Sequence, residues 1–182
     1  MAELIGVLVA VAIVGGAGFL MWRSWRRRTR RDAVMTAYPV PERLGGAVVD
    51  AEMLYVATTP VGRPLERLAV QGLAFRGAGH VEVHPEGVIL RIAGEQPSFV
   101  PADRLVGAGT ATFAIDRGVE PDGLVAITWI VDEEEPAEPP THVDSYLRAR
   151  YPGDAGRIIA AVTDIAAAHI TLRPDAGSET EA

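Results

Sequence analysis

The chain of 182 residues contains no cysteine, no lysine and no asparagine. Without cysteine, the protein cannot form disulfides, zinc–thiolate sites, a catalytic thiol or an S-acyl anchor. Without lysine, Schiff-base chemistry is excluded, and arginine is the only strongly basic side chain. The length allows one compact domain together with an anchor or a tail.

Basic charge is concentrated in one short stretch. The whole chain has a formal net charge of −7, but residues 32–182 carry 11 of the 17 arginines against 23 of the 24 acids, a charge of −12. The basic stretch is therefore an island on an acidic protein. Its six arginines lie within nine residues and are Arg23, Arg26, Arg27, Arg28, Arg30 and Arg31.

An uncharged run of 19 residues, from Leu4 to Trp22, lies directly before these arginines. At about 1.5 Å per residue, a helix of this length spans the roughly 30 Å hydrocarbon core of a bilayer. A cleaved signal peptide is the alternative, but its positive charges would precede the apolar run. Here Glu3 precedes the run and the arginines follow it. We therefore predict one N-terminal transmembrane helix.

The arginines also predict an orientation in the membrane. Cytoplasmic flanks are rich in arginine, so we expect the amino terminus outside and residues 32–182 in the cytoplasm of a single-pass cell-membrane protein. Trp22 and Trp25 fit the aromatic belt at the bilayer interface, and the six arginines would contact the anionic inner leaflet. Small residues four apart within the span, such as Gly6 and Ala10, are compatible with a homodimer through this helix.

The pattern after residue 31 predicts a linker, a domain and a tail. Residues 32–46 contain two prolines and two glycines and show little periodicity, and we interpret them as the linker. Residues 47–170 form the predicted cytosolic domain, and residues 171–182 a disordered tail. Within the domain, strand-like segments alternate with turns, and an amphipathic helix with Ile158, Val162 and Ala166 on one face begins near Asp154. The predicted strands are Leu54–Thr59, His80–His84, Val88–Ile92, Ser98–Val100, Thr110–Ile115 and Leu124–Val131.

These elements predict a mainly β (α+β) fold, a small barrel or sandwich closed by a C-terminal amphipathic helix. The segments LYVATT at 54–59, LERLA at 65–69 and GLAFR at 72–76 resemble those of actinobacterial single-pass membrane proteins with a pleckstrin-homology-like (PH-like) domain. Such proteins are described as export or membrane proteins and are often encoded beside pyrimidine-biosynthesis genes. The resemblance covers about residues 1–170 and implies a fold and a membrane location, without catalytic residues.

His80, Glu82 and His84 are the candidate metal ligands, because they alternate along one predicted strand. Two imidazoles and a carboxylate are reasonable zinc or iron ligands. An amphipathic strand with Val81 and Val83 facing the core and the three polar residues facing water has the same pattern, so we predict no metal.

Other catalytic signatures are absent from the sequence. Ser98 and Ser145 lack a nucleophile elbow, and the glycines after Arg76 lack the lysine of a P-loop. We therefore predict a protein that is not an enzyme and binds no cofactor. Phosphoinositide binding is not expected either, because Arg63, Arg67 and Arg76 are scattered among acids.

The acidic run Asp132, Glu133, Glu134 and Glu135 is either a solvated connector or a docking site for a basic partner. Two functions fit the whole pattern. One is a non-enzymatic, membrane-tethered scaffold that binds an unidentified protein. The other is an accessory subunit of a membrane transport, export or envelope system, in which the transmembrane helix makes the specific contact. Nucleic-acid binding is disfavoured, because a domain of charge −12 repels phosphates.

Overall fold

The computed structural model describes residues 14–23, 35–115, 117–118, 122–133 and 139–171. The chain divides into two units, Met1–Val34 and Met35–Ala182. In the first unit, residues 14–23 form helix α1. Among the described residues, none of the helices has the length and apolar character needed to cross a membrane. Residues 4–13 of the predicted span lie outside the described residues.

The second unit is built from eleven strands, one 3-10 turn and one helix within its described part. The strands are β1 (Met35–Thr36), β2 (Val49–Pro60), β3 (Gly77–His84), β4 (Gly87–Ile92), β5 (Ser98–Pro101), β6 (Leu105–Ala111), β7 (Phe113–Ala114), β8 (Arg117–Gly118), β9 (Leu124–Ile130), β10 (Asp132–Glu133) and β11 (His142–Ala149). The 3-10 turn η1 covers Ala102–Arg104, and helix α2 covers Asp154–Thr171.

Seven of these strands form one antiparallel sheet in the order β5-β4-β3-β2-β11-β9-β6. The sheet consists of two meanders, joined where β11 pairs with β2. Its edges, β5 and β6, are connected in sequence by η1, and α2 packs mainly against β6 and η1. This antiparallel sheet with a C-terminal helix confirms the predicted mainly β fold class of the domain.

The core lies between one face of the sheet and α2. Inward residues of β9, such as Val125, Ile127 and Trp129, are fully buried. Ile158 and Val162 of α2 pack into the same cluster, together with Ala166. The predicted amphipathic helix is therefore confirmed, since its apolar stripe is the buried face.

One predicted strand differs from the structure, and one observed strand has no delimited counterpart among the predicted strands. The strand expected at Thr110–Ile115 is replaced by β6, which ends at Ala111, and by the two-residue β7. Strand β11 was not delimited from the sequence, because its inward row includes the polar residue Ser145. A polar residue at a buried position breaks the alternation on which strand prediction depends.

Residues 35–46 are the described part of the predicted linker, and some of them form hydrogen bonds with the domain. Strand β1 pairs with β10. The Tyr38 N–H donates to the Phe99 carbonyl at 3.0 Å, and the Phe99 N–H donates back to the Tyr38 carbonyl at 3.2 Å. The Tyr38 hydroxyl donates to the Ile130 carbonyl at 3.3 Å. Edge strands have unpaired backbone groups, and this segment satisfies some of those of β5.

A chain of hydrogen bonds crosses the core. Trp129 Nε1 donates to Ser145 Oγ at 2.9 Å, and Ser145 Oγ lies 2.7 Å from Thr58 Oγ1. Thr58 Oγ1 lies 2.7 Å from the Tyr55 hydroxyl, which donates to the Leu73 carbonyl at 2.9 Å.

The two ends of this chain determine its direction. Indole can only donate, and a carbonyl can only accept. The Tyr55 hydroxyl uses its single hydrogen to donate to the Leu73 carbonyl. Thr58 must therefore donate to Tyr55, and Ser145 must donate to Thr58. Burial raises the pKa of the Tyr55 hydroxyl, which keeps it protonated as the chain requires. Strands β2, β9 and β11 and the loop after β2 are therefore joined by one continuous row of donors.

Replacing Ser145 should destabilise the fold. Ser145→Ala leaves the buried Trp129 N–H without its acceptor and the Thr58 oxygen without its donor, and we expect the free energy of unfolding to fall by about 2–3 kcal/mol in denaturant titrations. Ser98 is a matched control, since it is also buried but its Oγ has no hydrogen-bond partner among the described residues. Ser98→Ala should leave stability unchanged or slightly higher. Equal losses in both variants would contradict the hydrogen-bond chain.

Candidate functional site

An open groove of about 440 Å³ lies on the face of the sheet away from α2. Strands β6, β9 and β11 form it. Small residues provide most of its floor, including Gly107, Gly109, Ala111 and Ala126. The groove is open because these residues have no side chain or only a methyl group.

The glycines of β6 matter most for this shape. Gly107 pairs with Thr128 and Gly109 with Ala126 across the β6–β9 ladder. A Cβ atom added to either glycine would meet nothing within 4 Å. The fold therefore does not need glycine at these positions for close packing, and a larger side chain there would project into the groove.

Asp144 supplies the charge in this groove. Its Oδ1 accepts a hydrogen bond from Thr128 Oγ1 at 2.7 Å, and its Oδ2 accepts one from the Tyr146 hydroxyl at 3.3 Å. Burial, and next the negative charge of Asp144, raise the pKa of Tyr146, so this hydroxyl remains a donor. Two neutral donors thus orient the half-buried carboxylate without neutralising it.

One part of the groove is apolar. Tyr146, Ala111 and Ala126 belong to a small cluster that is separate from the main core. The other members of this cluster are Ala114, Leu124 and Val56. The groove thus combines one oriented carboxylate with a floor of short apolar side chains.

A second groove, of about 290 Å³, lies among residues 36–39, 71–72 and 96–98. No charged side chain lines it. Gly72 closes over Ser98 so tightly that a Cβ at position 72 would lie 2.3 Å from Ser98 Oγ. The Ser98 hydroxyl is therefore covered by the protein, and the groove presents only uncharged groups.

The candidate metal ligands of strand β3 contact other protein groups in the structure. Val81 and Val83 face the core, as predicted. The expectation that His84 faces water is wrong, because His84 is buried and its Nδ1 lies 2.8 Å from the Gly45 carbonyl oxygen. Glu82 is held by Arg91, whose Nε donates to it at 2.5 Å. Within the described ranges, no group of three histidines or acids is arranged to hold a metal ion.

The Glu82–Arg91 pair should make stability depend on pH. The hydrogen bond from Arg91 lowers the pKa of Glu82 below its usual value of about 4.5, partly opposed by burial. A carboxyl group whose pKa is lower in the folded state than in the unfolded state stabilises the fold at pH values above the unfolded-state pKa. This stabilisation is lost as the pH falls through the folded-state pKa.

We therefore expect Glu82→Gln to lower the free energy of unfolding by about 1 kcal/mol at neutral pH. The difference from the unmodified chain should shrink below about pH 4.5, as measured by denaturant titration across the acid range. Asp103→Asn, which removes an exposed carboxylate 3.8 Å from Arg104, is the control and should have little effect at any pH. A Glu82→Gln loss that stays constant into acid would contradict the assignment.

The predicted anchoring residues are only partly described. Trp22 and Arg23 end the described part of α1, where the Trp22 ring lies 6.1 Å from that of Phe19. The other predicted anchoring residues lie outside the described residues: Trp25, Arg26, Arg27, Arg28, Arg30 and Arg31. Their role stays a prediction.

The acidic docking run is also partly described. Asp132 is exposed and pairs through its backbone with Thr36, and Glu133 pairs with Met35. Glu134 and Glu135 lie outside the described residues. Sequence reasoning missed Asp144, whose position beside Thr128 depends on strand pairing. The only feature of the sequence that indicates the groove is the run of small residues from 107 to 109.

The domain that contains this sheet and its closing helix matches a known family. Residues 34–163 match the model of the family described as "Bacterial PH domain-like". The chain belongs to this family. The predicted resemblance to PH-like proteins is thereby confirmed for the domain.

Other comparisons add little to this family assignment. No curated protein matches the chain. A chain of the solved structure named "The 8S snRNP Assembly Intermediate" is similar, with a TM-score of 0.46 and 12% sequence identity over 80% of this chain and 98% of that one. A likeness at that level carries no argument about function.

Proposed function

We propose that this PH-like protein is a non-enzymatic interaction module, tethered to the cytoplasmic leaflet of the cell membrane by its N-terminal segment. The PH-like domain suggests an interaction role. The groove around Asp144 is the observation that supports it best. It is open to solvent, it carries an oriented charge, and it is not required for packing of the core.

The tether is supported by the sequence of the first unit. An uncharged run from Leu4 to Trp22, followed by six arginines, fits a single-pass helix with its C-terminal side in the cytoplasm. The arginines would bind the anionic leaflet, each contributing about 1 kcal/mol near its surface. The acidic domain would be repelled by the same leaflet, and this repulsion would keep its grooves accessible to a protein partner.

The absence of cysteine allows a direct test of this topology. Ala2→Cys and Ser178→Cys each introduce a single thiol, one on either side of the predicted span. A membrane-impermeant maleimide should label Ala2→Cys in spheroplasts and Ser178→Cys only after permeabilisation. Both variants should stay in the membrane pellet after alkaline extraction. Release by alkali, or labelling of Ser178→Cys in intact spheroplasts, would contradict the tether.

A second function is favoured by the small residues in the span. Gly16 and Ala12, four residues apart, have the spacing at which two helices approach closely, so the span itself could contact a transport or envelope protein. Replacing Leu4–Trp22 with an unrelated apolar helix separates the two functions. A scaffold should still recover its partner in pull-downs from solubilised membranes and lose it when residues 47–170 are deleted. An accessory subunit should lose its partner upon the helix exchange.

A further inference from the structure

We propose that the groove around Asp144 binds an arginine or lysine side chain from an extended segment of a partner protein. This inference rests on the proposed interaction function and specifies its surface and the chemistry of its partner. The charge, shape and accessibility of the groove, which β6, β9 and β11 form, support such a ligand.

The charge of Asp144 is available to a ligand. A carboxylate has about four acceptor positions, and the Thr128 and Tyr146 hydroxyls occupy two of them. Within the described part of the chain, no basic nitrogen forms an ion pair with Asp144, in contrast to Glu82, which pairs with Arg91. A cationic group would therefore form charge-assisted hydrogen bonds at positions that are still open.

The geometry of the carboxylate is determined before any ligand binds. Thr128 lies directly opposite Asp144 in the β9–β11 ladder, and Tyr146 follows Asp144 on the same face. Their hydroxyls hold one carboxylate oxygen each. Because the acceptor is already oriented, a ligand loses less free energy in ordering it.

The floor of the groove suits a long basic side chain. Arginine and lysine have flexible aliphatic stems that lie along apolar surfaces while the charged end reaches a polar group. Gly107, Gly109 and Ala126 leave space for such a stem beside Asp144. An anionic side chain would not fit this combination, because it would face the Asp144 carboxylate.

The wider charge of the domain agrees with a basic partner. Residues 32–182 have a formal charge of −12. This field would attract a basic segment and accelerate its association, while Asp144 would select where it binds.

The test uses the full-length chain in detergent, labelled with ¹⁵N, and a tripeptide of arginine between two alanines with blocked ends. Amide shifts on titration should be concentrated at Gly107, Gly109, Thr128 and Asp144. The same peptide with citrulline in place of arginine keeps the shape but removes the charge, and it should cause little change. This comparison needs no variant of the protein and cannot be affected by misfolding.

Two variants test the protein side, each with a matched control. Asp144→Asn keeps an acceptor for Thr128 but removes the charge, and the Kd should rise about tenfold or more. Asp50→Asn, at an exposed carboxylate on β2, should leave it unchanged. Gly109→Val should fill the groove and abolish binding. Gly46→Val is its control, because a Cβ there also meets nothing within 4 Å.

Three results would overturn the proposal: equal shifts with the citrulline peptide, unchanged affinity in Asp144→Asn, or shifts spread over the acidic surface. The last would indicate general charge attraction only. The proposed interaction function has a separate readout, namely partner recovery that depends on residues 47–170. If the partner is recovered equally by Asp144→Asn and by the unmodified chain, the interaction function stands and the binding surface lies elsewhere.

Discussion

The row of hydrogen bonds from Trp129 through Ser145, Thr58 and Tyr55 to the Leu73 carbonyl is the constraint on which the sheet depends. It crosses the junction where the last strand, β11, pairs with the first long strand, β2. Each hydroxyl accepts one bond and donates the next, so no member can be lost without leaving a buried neighbour unsatisfied. Apolar side chains could fill the same space, but they would not specify which strands meet there.

This inward row influences the opposite face of the same strands. Ser145 must point into the core to accept from Trp129, so its neighbours Asp144 and Tyr146 must point outwards, because side chains alternate along a strand. The register that completes the core network therefore also places Asp144 beside Thr128. With glycines on β6, the strand on the other side of β9, the outcome is an oriented carboxylate at the side of an open groove. Fold and candidate site are thus two consequences of one strand register.

Some of this arrangement could be predicted from residue order alone. Periodicity identified β4, β9 and the apolar face of α2, because each has a regular pattern and a clear boundary. Periodicity does not predict residues whose burial depends on tertiary contacts. The buried Ser145 and the buried His84 are polar residues whose partners are distant in sequence, Thr58 and the Gly45 carbonyl respectively. The adjacent charges at 132–135 indicate a possible docking site from sequence alone. Asp144 gives no such indication, because it is a single acid among ordinary strand residues.

The sequence by itself determined the uneven distribution of charge, the mainly β class with a closing helix and the exclusion of thiol and lysine chemistry, because these depend on composition and local spacing. It also carries the prediction of a membrane span, which rests on an apolar length and the arginines after it. Only the tertiary structure decided the pairing of β11 with β2, the attachment of residues 35–38 to the domain and the position of Asp144 in a groove. These features join residues far apart in the chain, and the hydrogen bonds and packing that select them exist only once the sheet has formed.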